Sequence, residues 1–133
     1  MRVVLPGTSV LLVDDDEDFL ELFSALLATR GAQVCCATSV EEALEQLRAA
    51  RFAVIVSDLE MPGPDGIALI RLVRADADPA LCEIPAIALT ARSDPLAREL
   101  ALKAGFARHM VKPVDVAILC AEIAMLIRTV GAN

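Results

Sequence analysis

The sequence has no tryptophan and no tyrosine, four phenylalanines and one histidine in 133 residues. Its core must therefore be aliphatic, built from the Ala, Leu, Val and Ile in which the chain is rich. No cluster of Lys and Arg occurs, and the net charge is −7. A nucleic-acid backbone demands a positive stripe, so nucleic-acid binding is not expected. No apolar run approaches the roughly 20 residues of a membrane span, so direct membrane insertion is not expected either. The N-terminus lacks a charged-then-apolar leader with a cleavage site, and the expected location is the cytoplasm. The four cysteines, Cys35, Cys36, Cys82 and Cys120, form no C-x-x-C pair, and only His109 could join them as a nitrogen ligand. That excludes metal-finger spacing. All four lie in or beside apolar segments and are expected as small buried hydrophobes, with redox sensing as the alternative.

What is present is a repeated pattern. The apolar run Val10-Leu11-Leu12-Val13 stops at Asp14-Asp15-Asp16. Val54-Ile55-Val56-Ser57 stops at Asp58, a third run from Ile84 to Leu89 stops at Thr90, and a fourth stops at Lys112-Pro113. Between the runs lie helical periods. A helix is expected over 17–30, with Leu22, Phe23, Leu26 and Leu27 as its inner stripe, Asp16 as its cap and Gly31 as its stop. Ser39 and Glu42 form a capping box for a helix running to about residue 50. Further helices are expected over 66–75 (inner residues Ile67, Ile70 and Val73), from Asp94-Pro95 to Gly105, and from Asp115 to about residue 128. A short strand is expected over 33–37 and a loop over 76–82.

The order is strand then helix, five times over. Such alternation implies an α/β fold, a parallel sheet with helices on both faces. At this length the chain is one domain. Residues 1–8 are expected as a lead-in or linker, 9–130 as the domain and 131–133 as a frayed tail.

In a parallel sheet the strand ends converge, which gathers Asp14, Asp15, Asp58, Thr90 and Lys112 at one edge, where open α/β folds bind ligands. Carboxylates crowded together repel unless a cation lies among them. Magnesium suits such a site, with manganese as a substitute, because it is hard and takes one or two carboxylates with phosphate oxygens. Lys112 offers a compact charge and Thr90 a hydroxyl to the same oxygens. The set fits phosphoryl transfer to a carboxylate nucleophile.

In these residues the chain resembles the receiver domains of two-component response regulators from about Ser9 to Arg128. The matching motifs are Val13-Asp14-Asp15, the stretch from Ser57 to Gly66, Ala88 to Ala91, and Val111-Lys112-Pro113. The resemblance implies a flavodoxin-like (βα)5 three-layer sandwich with strand order 2-1-3-4-5. It implies Asp58 as phosphoacceptor, and Asp14, Asp15, Asp58 and the Glu60 backbone carbonyl as magnesium ligands. It also implies Thr90 and His109 as switch residues, Lys112 as the phosphoryl-holding cation, and Pro113 as an often cis proline. His109 departs from the Tyr or Phe common at its position.

The implied function is acceptance of a phosphoryl group from a histidine kinase or histidine phosphotransfer protein, followed by a change in the surface around the last strand and last two helices. No independent substrate turnover is expected. Glu60 and Arg92 are expected to form an ion pair that tunes the lifetime of the product. Leu20 and Pro113 are expected on the partner surface. The last helix, apolar nearly all round, is expected to meet a partner or to be covered by another part of a longer parent chain, and the last two helices together are a candidate homodimer surface. The lead-in and the Ile84–Ala91 and Ala104–Phe106 segments resemble receivers at the C-terminus of hybrid sensor kinases. Two alternatives stand: a haloacid-dehalogenase-like phosphatase, against which Asp58-Leu59-Glu60 lacks the D-x-D pattern, and a phosphorylation-silent adaptor.

Overall fold

The computed structural model describes residues 2–131, and the side chains as far as 128. Five strands form one parallel sheet: β1 (Ser9–Val13), β2 (Gln33–Ala37), β3 (Val54–Asp58), β4 (Ala86–Thr90) and β5 (Arg108–Val111), in the order β2-β1-β3-β4-β5. The helices are α1 (Glu17–Ala28), α2 (Val40–Ala49), α3 (Gly66–Arg74), a single turn α4 (Pro79–Cys82), α5 (Pro95–Ala104) and α6 (Val116–Gly131). The turn α4 falls where a loop was expected; Asp78 caps it by accepting from Ala80 N. Residue 131, expected to fray, closes α6, while residues 1, 132 and 133 lie outside the described residues.

Each central strand is apolar on both faces, and the two faces make two cores. Leu11, Val13, Ile55, Ala86 and Ala88 pack with α2, α3 and Ala101 of α5. Val10, Leu12, Val54, Val56, Ile87 and Leu89 pack with α1 and α6. This alternation is the period-2 pleat of a strand. It makes the fold the expected flavodoxin-like three-layer sandwich. The strand order reverses between β1 and β3, opening a crevice at their C-terminal ends.

Several expectations need correction. Leu20, placed on the partner surface, is 5% exposed and belongs to the core, whereas Leu22, placed on the inner stripe, is 56% exposed. The buried set Leu20, Phe23 and Leu27 follows i, i+3, i+7 spacing; Leu22 lies two residues from Leu20, on another face. In α3 the buried residues include Leu69 with Ile70 and Val73, while Ile67 is only half-buried. Cys120 is buried as expected, but Cys35 and Cys36 are exposed because β2 is an edge strand. Residues 2–8 are tied down: Leu5 is buried, its N–H donates to Arg30 O at 2.6 Å, and Gly7 N donates to Gly31 O at 3.0 Å. Among the described residues no helix is long and apolar enough to cross a membrane.

Candidate functional site

The C-terminal ends of β1 and β3 carry the acids. Strand pairing places Val13 beside Ser57, so Asp14 and Asp58 each follow at the same sheet edge. Carboxylate oxygens of Asp14, Asp15 and Asp58 all lie within 4.8 Å of one another. Asp14 and Asp58 are buried and Asp15 is exposed, which gives the cluster a closed floor and an open mouth. Asp16 stands apart as the α1 cap, accepting from Asp18 N and Phe19 N. Asp14 Oδ1 is fixed by Asp16 N at 2.9 Å.

Lys112 reaches in from the end of β5. Its Nζ donates to Asp14 Oδ2 at 2.7 Å and sits 3.7 Å from Asp58 Oδ2. The ammonium also lies 4.5 Å from the centre of the Phe19 ring, which packs at a tilt of 38° against Phe23 with ring centres 4.4 Å apart. A cation over an aromatic face is attracted by the ring quadrupole. The Lys112–Pro113 peptide is cis, as expected, and Pro113 is exposed.

One ammonium cannot balance three carboxylates. Burial and the charge of Asp14 push the Asp58 carboxyl up to about 7, against the opposing pull of Lys112 and the Glu60 N–H. Burial would lower Lys112, but its hydrogen bond to Asp14 and the charges of Asp14, Asp58 and Asp16 outweigh it and raise the ammonium above its ordinary value. The donor set is all oxygen and short of positive charge, which fits a hard divalent cation.

The floor of the site needs glycine at 66. A Cβ there would meet Asp58 O at 2.3 Å. Gly66 N donates to Leu59 O at 3.2 Å, drawing the β3–α3 loop against the end of β3. Asp65 then caps α3 by accepting from Ala68 N. Ser57, which the sequence did not single out, is buried, and its hydroxyl donates to Asp58 O at 2.9 Å. Phe19 was also missed; its only signal was a phenylalanine four residues before Phe23 at the start of the helix after the acidic run.

Thr90 ends β4 one residue beyond Leu89, the partner of Asp58. It is fully buried, and its hydroxyl donates to Glu60 Oε1 and accepts from Arg92 N at 3.0 Å. The expected Glu60–Arg92 ion pair is therefore not the contact made. Arg92 Nε instead pairs with Asp94 Oδ2 at 3.0 Å. Asp94 is two residues away and already held as the α5 cap, so this local pair costs less chain ordering. His109 lies in β5 with its Nε2 buried and without a hydrogen-bond partner. Burial and the charge of Arg98 hold its imidazole below the usual value, partly offset by Glu60 and Asp94.

The profile of the response regulator receiver domain matches residues 10–124. A 14.6 kDa protein of Leptolyngbya boryana is 42% identical over 111 residues, covering 84% of this chain and 83% of that one. The transcriptional regulatory protein AfsQ1 of Streptomyces coelicolor is 34% identical over 120 residues, 90% of this chain; the chain spans 51% of that regulator. Among solved structures, the signal receiver domain of a signal transduction histidine kinase from Syntrophus aciditrophicus has a TM-score of 0.85 at 30% identity, covering 96% of this chain and 95% of that one. Fold, strand-end acids and these likenesses agree, and the chain belongs to the response regulator receiver domains of two-component signalling.

Proposed function

We propose that Asp58 is the phosphoacceptor of this receiver and takes its phosphoryl group from a phosphohistidine on a histidine kinase or phosphotransfer protein. The observation that carries the reading is the convergence of Asp14, Asp15 and Asp58 within 4.8 Å, with Lys112 bridging the two buried acids. An Asp58 carboxylate oxygen attacks phosphorus, the phosphorus–nitrogen bond breaks, and the imidazole leaves. Lys112 neutralises charge on the transferring oxygens, the largest help a site can give this reaction. Thr90 then donates to a phosphoryl oxygen, and His109 turns toward the space it vacates.

Magnesium, when bound by Asp14, Asp15, Asp58 and the Glu60 backbone carbonyl, supplies further charge neutralisation at the phosphoryl oxygens. Asp58 keeps the product on itself, so the domain acts as a signal carrier rather than a catalyst of turnover. The changing surface is that of α5, β5 and α6, where Leu96, Leu100, Val111 and Ile118 are exposed to a partner or a second copy. Four unpaired cysteines fit a reducing, cytoplasmic setting. Likeness to the Syntrophus kinase receiver supports a hybrid-kinase parent, and likeness to AfsQ1 supports a transcriptional regulator. We place the functional unit at residues 9–130 with the lead-in docked on it.

The test is intact-mass measurement after incubation with acetyl phosphate and magnesium. One phosphoryl group is expected on the wild type and none on Asp58→Asn. Equal modification of both would remove Asp58 from the role.

A further inference from the structure

A threonine hydroxyl has one proton to give. In this structure Thr90 gives it to Glu60 Oε1, while Thr90 Oγ1 itself accepts from Arg92 N. A phosphoryl group on Asp58 offers only acceptor oxygens. It therefore competes with Glu60 for a proton that cannot be shared on equal terms.

We propose that the Glu60 side chain is a positioning residue that anchors Thr90 in the unphosphorylated state, and that the carboxylate released on phosphorylation is taken up by Nε2 of His109. The inference rests on the phosphoacceptor reading above. Its first half stands on the Thr90–Glu60 hydrogen bond. Its second stands on the one buried side-chain nitrogen or oxygen left without a hydrogen-bond partner among the described residues, His109 Nε2.

Sheet register makes the exchange feasible. His109 pairs with Ala88, and Val111 pairs with Thr90. Side chains two apart on a strand share a face, so His109 lies one step below Thr90 on the same face. Ala88, beside His109 and two residues before Thr90, carries only a methyl group. A neutral imidazole with its proton on Nε2 is a donor, and Glu60 is an acceptor, so no proton need be gained. The Tyr or Phe common at this position would lack this inward donor: phenylalanine has none, and tyrosine carries its hydroxyl at the far end of the ring.

A hydrogen bond to a charged group biases an equilibrium by roughly tenfold to a hundredfold. The experiment measures binding of beryllofluoride, a phosphoryl mimic, to the whole chain in the presence of magnesium. Glu60→Ala is expected to bind at least about tenfold more tightly than wild type. In a Thr90→Val background the same substitution is expected to change little. If the gain persists in that background, it is relief of charge repulsion and the anchor is overturned.

His109→Phe is expected to weaken binding when Glu60 is present and to do nothing in Glu60→Ala. An equal effect in both overturns the hand-over. The Thr90 methyl resonance of the ligand-free protein is the structural readout. It is expected to move in Glu60→Ala and to stay nearly in place in Glu60→Gln, whose Oε1 still accepts. A folded Glu60→Ala with an unmoved resonance overturns the anchor. Failure of the wild type to bind beryllofluoride, by contrast, counts against the phosphoacceptor reading, and the resonance comparison still judges the anchor.

Discussion

Replacing Asp58 with asparagine should stabilise this domain, and the gain should grow with pH. The ordinary carboxyl value is 3.8, and in the folded chain burial and Asp14 push Asp58 up to about 7. A group whose folded value is raised in this way holds its proton more tightly when folded. Below about pH 4 both states are protonated and nothing is lost. From there to about pH 7 the folded state must either keep a proton that the unfolded state has shed or carry a disfavoured charge. Above pH 7 the cost is complete. A gap of roughly three pH units at about 1.4 kcal/mol each gives about 4 kcal/mol. The Asp58 side chain is only 8% exposed, so solvent screening takes little from this figure.

The carboxamide of Asp58→Asn cannot ionise and avoids the cost. At pH 8 in EDTA the variant should therefore melt on the order of 10 °C above wild type, and near pH 4 the two should nearly coincide. His109 tilts stability the other way as it charges on the acid side, but it does so in both proteins and cancels in the difference. Lys112, with its value raised, keeps its contribution below its ordinary 10.5 and loses it only above the folded value, outside this window. Saturating magnesium should raise wild type more than the variant, because binding stabilises by about 2.7 kcal/mol at a hundredfold excess over Kd, and the variant has lost a ligand. The assay is urea or thermal unfolding followed by far-UV circular dichroism, since the chain has no Trp or Tyr to report by fluorescence. A difference between the two proteins that stays flat from about pH 4 to pH 8 in EDTA would refute the reasoning.

Lys112→Ala should lower stability by about 3 kcal/mol in EDTA, because it strands the buried Asp14 carboxylate beside Asp58; urea midpoints with and without magnesium measure it, and the metal should narrow the loss. Gly66→Ala should cost about 1–3 kcal/mol and slow phosphoryl uptake from acetyl phosphate, since the new Cβ must displace the Asp58 carbonyl. Leu20→Ala should cost about 2–5 kcal/mol, while Leu22→Ala should stay within about 0.5 kcal/mol; thermal melts of the pair would show whether the buried face of α1 is correctly assigned.

The alternation of strands and helices and the acid cluster were legible because they depend on pattern and topology together, whereas the strand order came with the family resemblance. Apolar runs that end in acids mark strand termini, and parallel connection forces those termini to one edge. Asp14, Asp15, Asp58 and Lys112 needed nothing more. Helix phase was less legible. In a helix as apolar as α1, Leu20 and Leu22 present the same chemistry, and only the sheet position decides which turns inward. Cysteine burial failed for a related reason. Cys35 and Cys36 read as core until β2 is known to be an edge, and edge status is a property of the whole sheet order.

The site's side-chain pairing was hardest of all, and the reason is competition. Glu60 and Arg92 each lie two residues past a strand-end functional group, so spacing alone makes them natural partners. Each has a rival that spacing does not rank. For Arg92 the rival is Asp94, two residues on and already pinned to Ala97 N. An exposed ion pair is worth only about 0–1 kcal/mol, so a small saving in chain ordering is enough to choose the nearer carboxylate. For Glu60 the rival is a buried hydroxyl that would otherwise lack an acceptor, and leaving such a donor unmet costs about 1–3 kcal/mol. The larger penalty wins. The chain therefore commits its Glu60 carboxylate to Thr90, and Arg92 is left to Asp94.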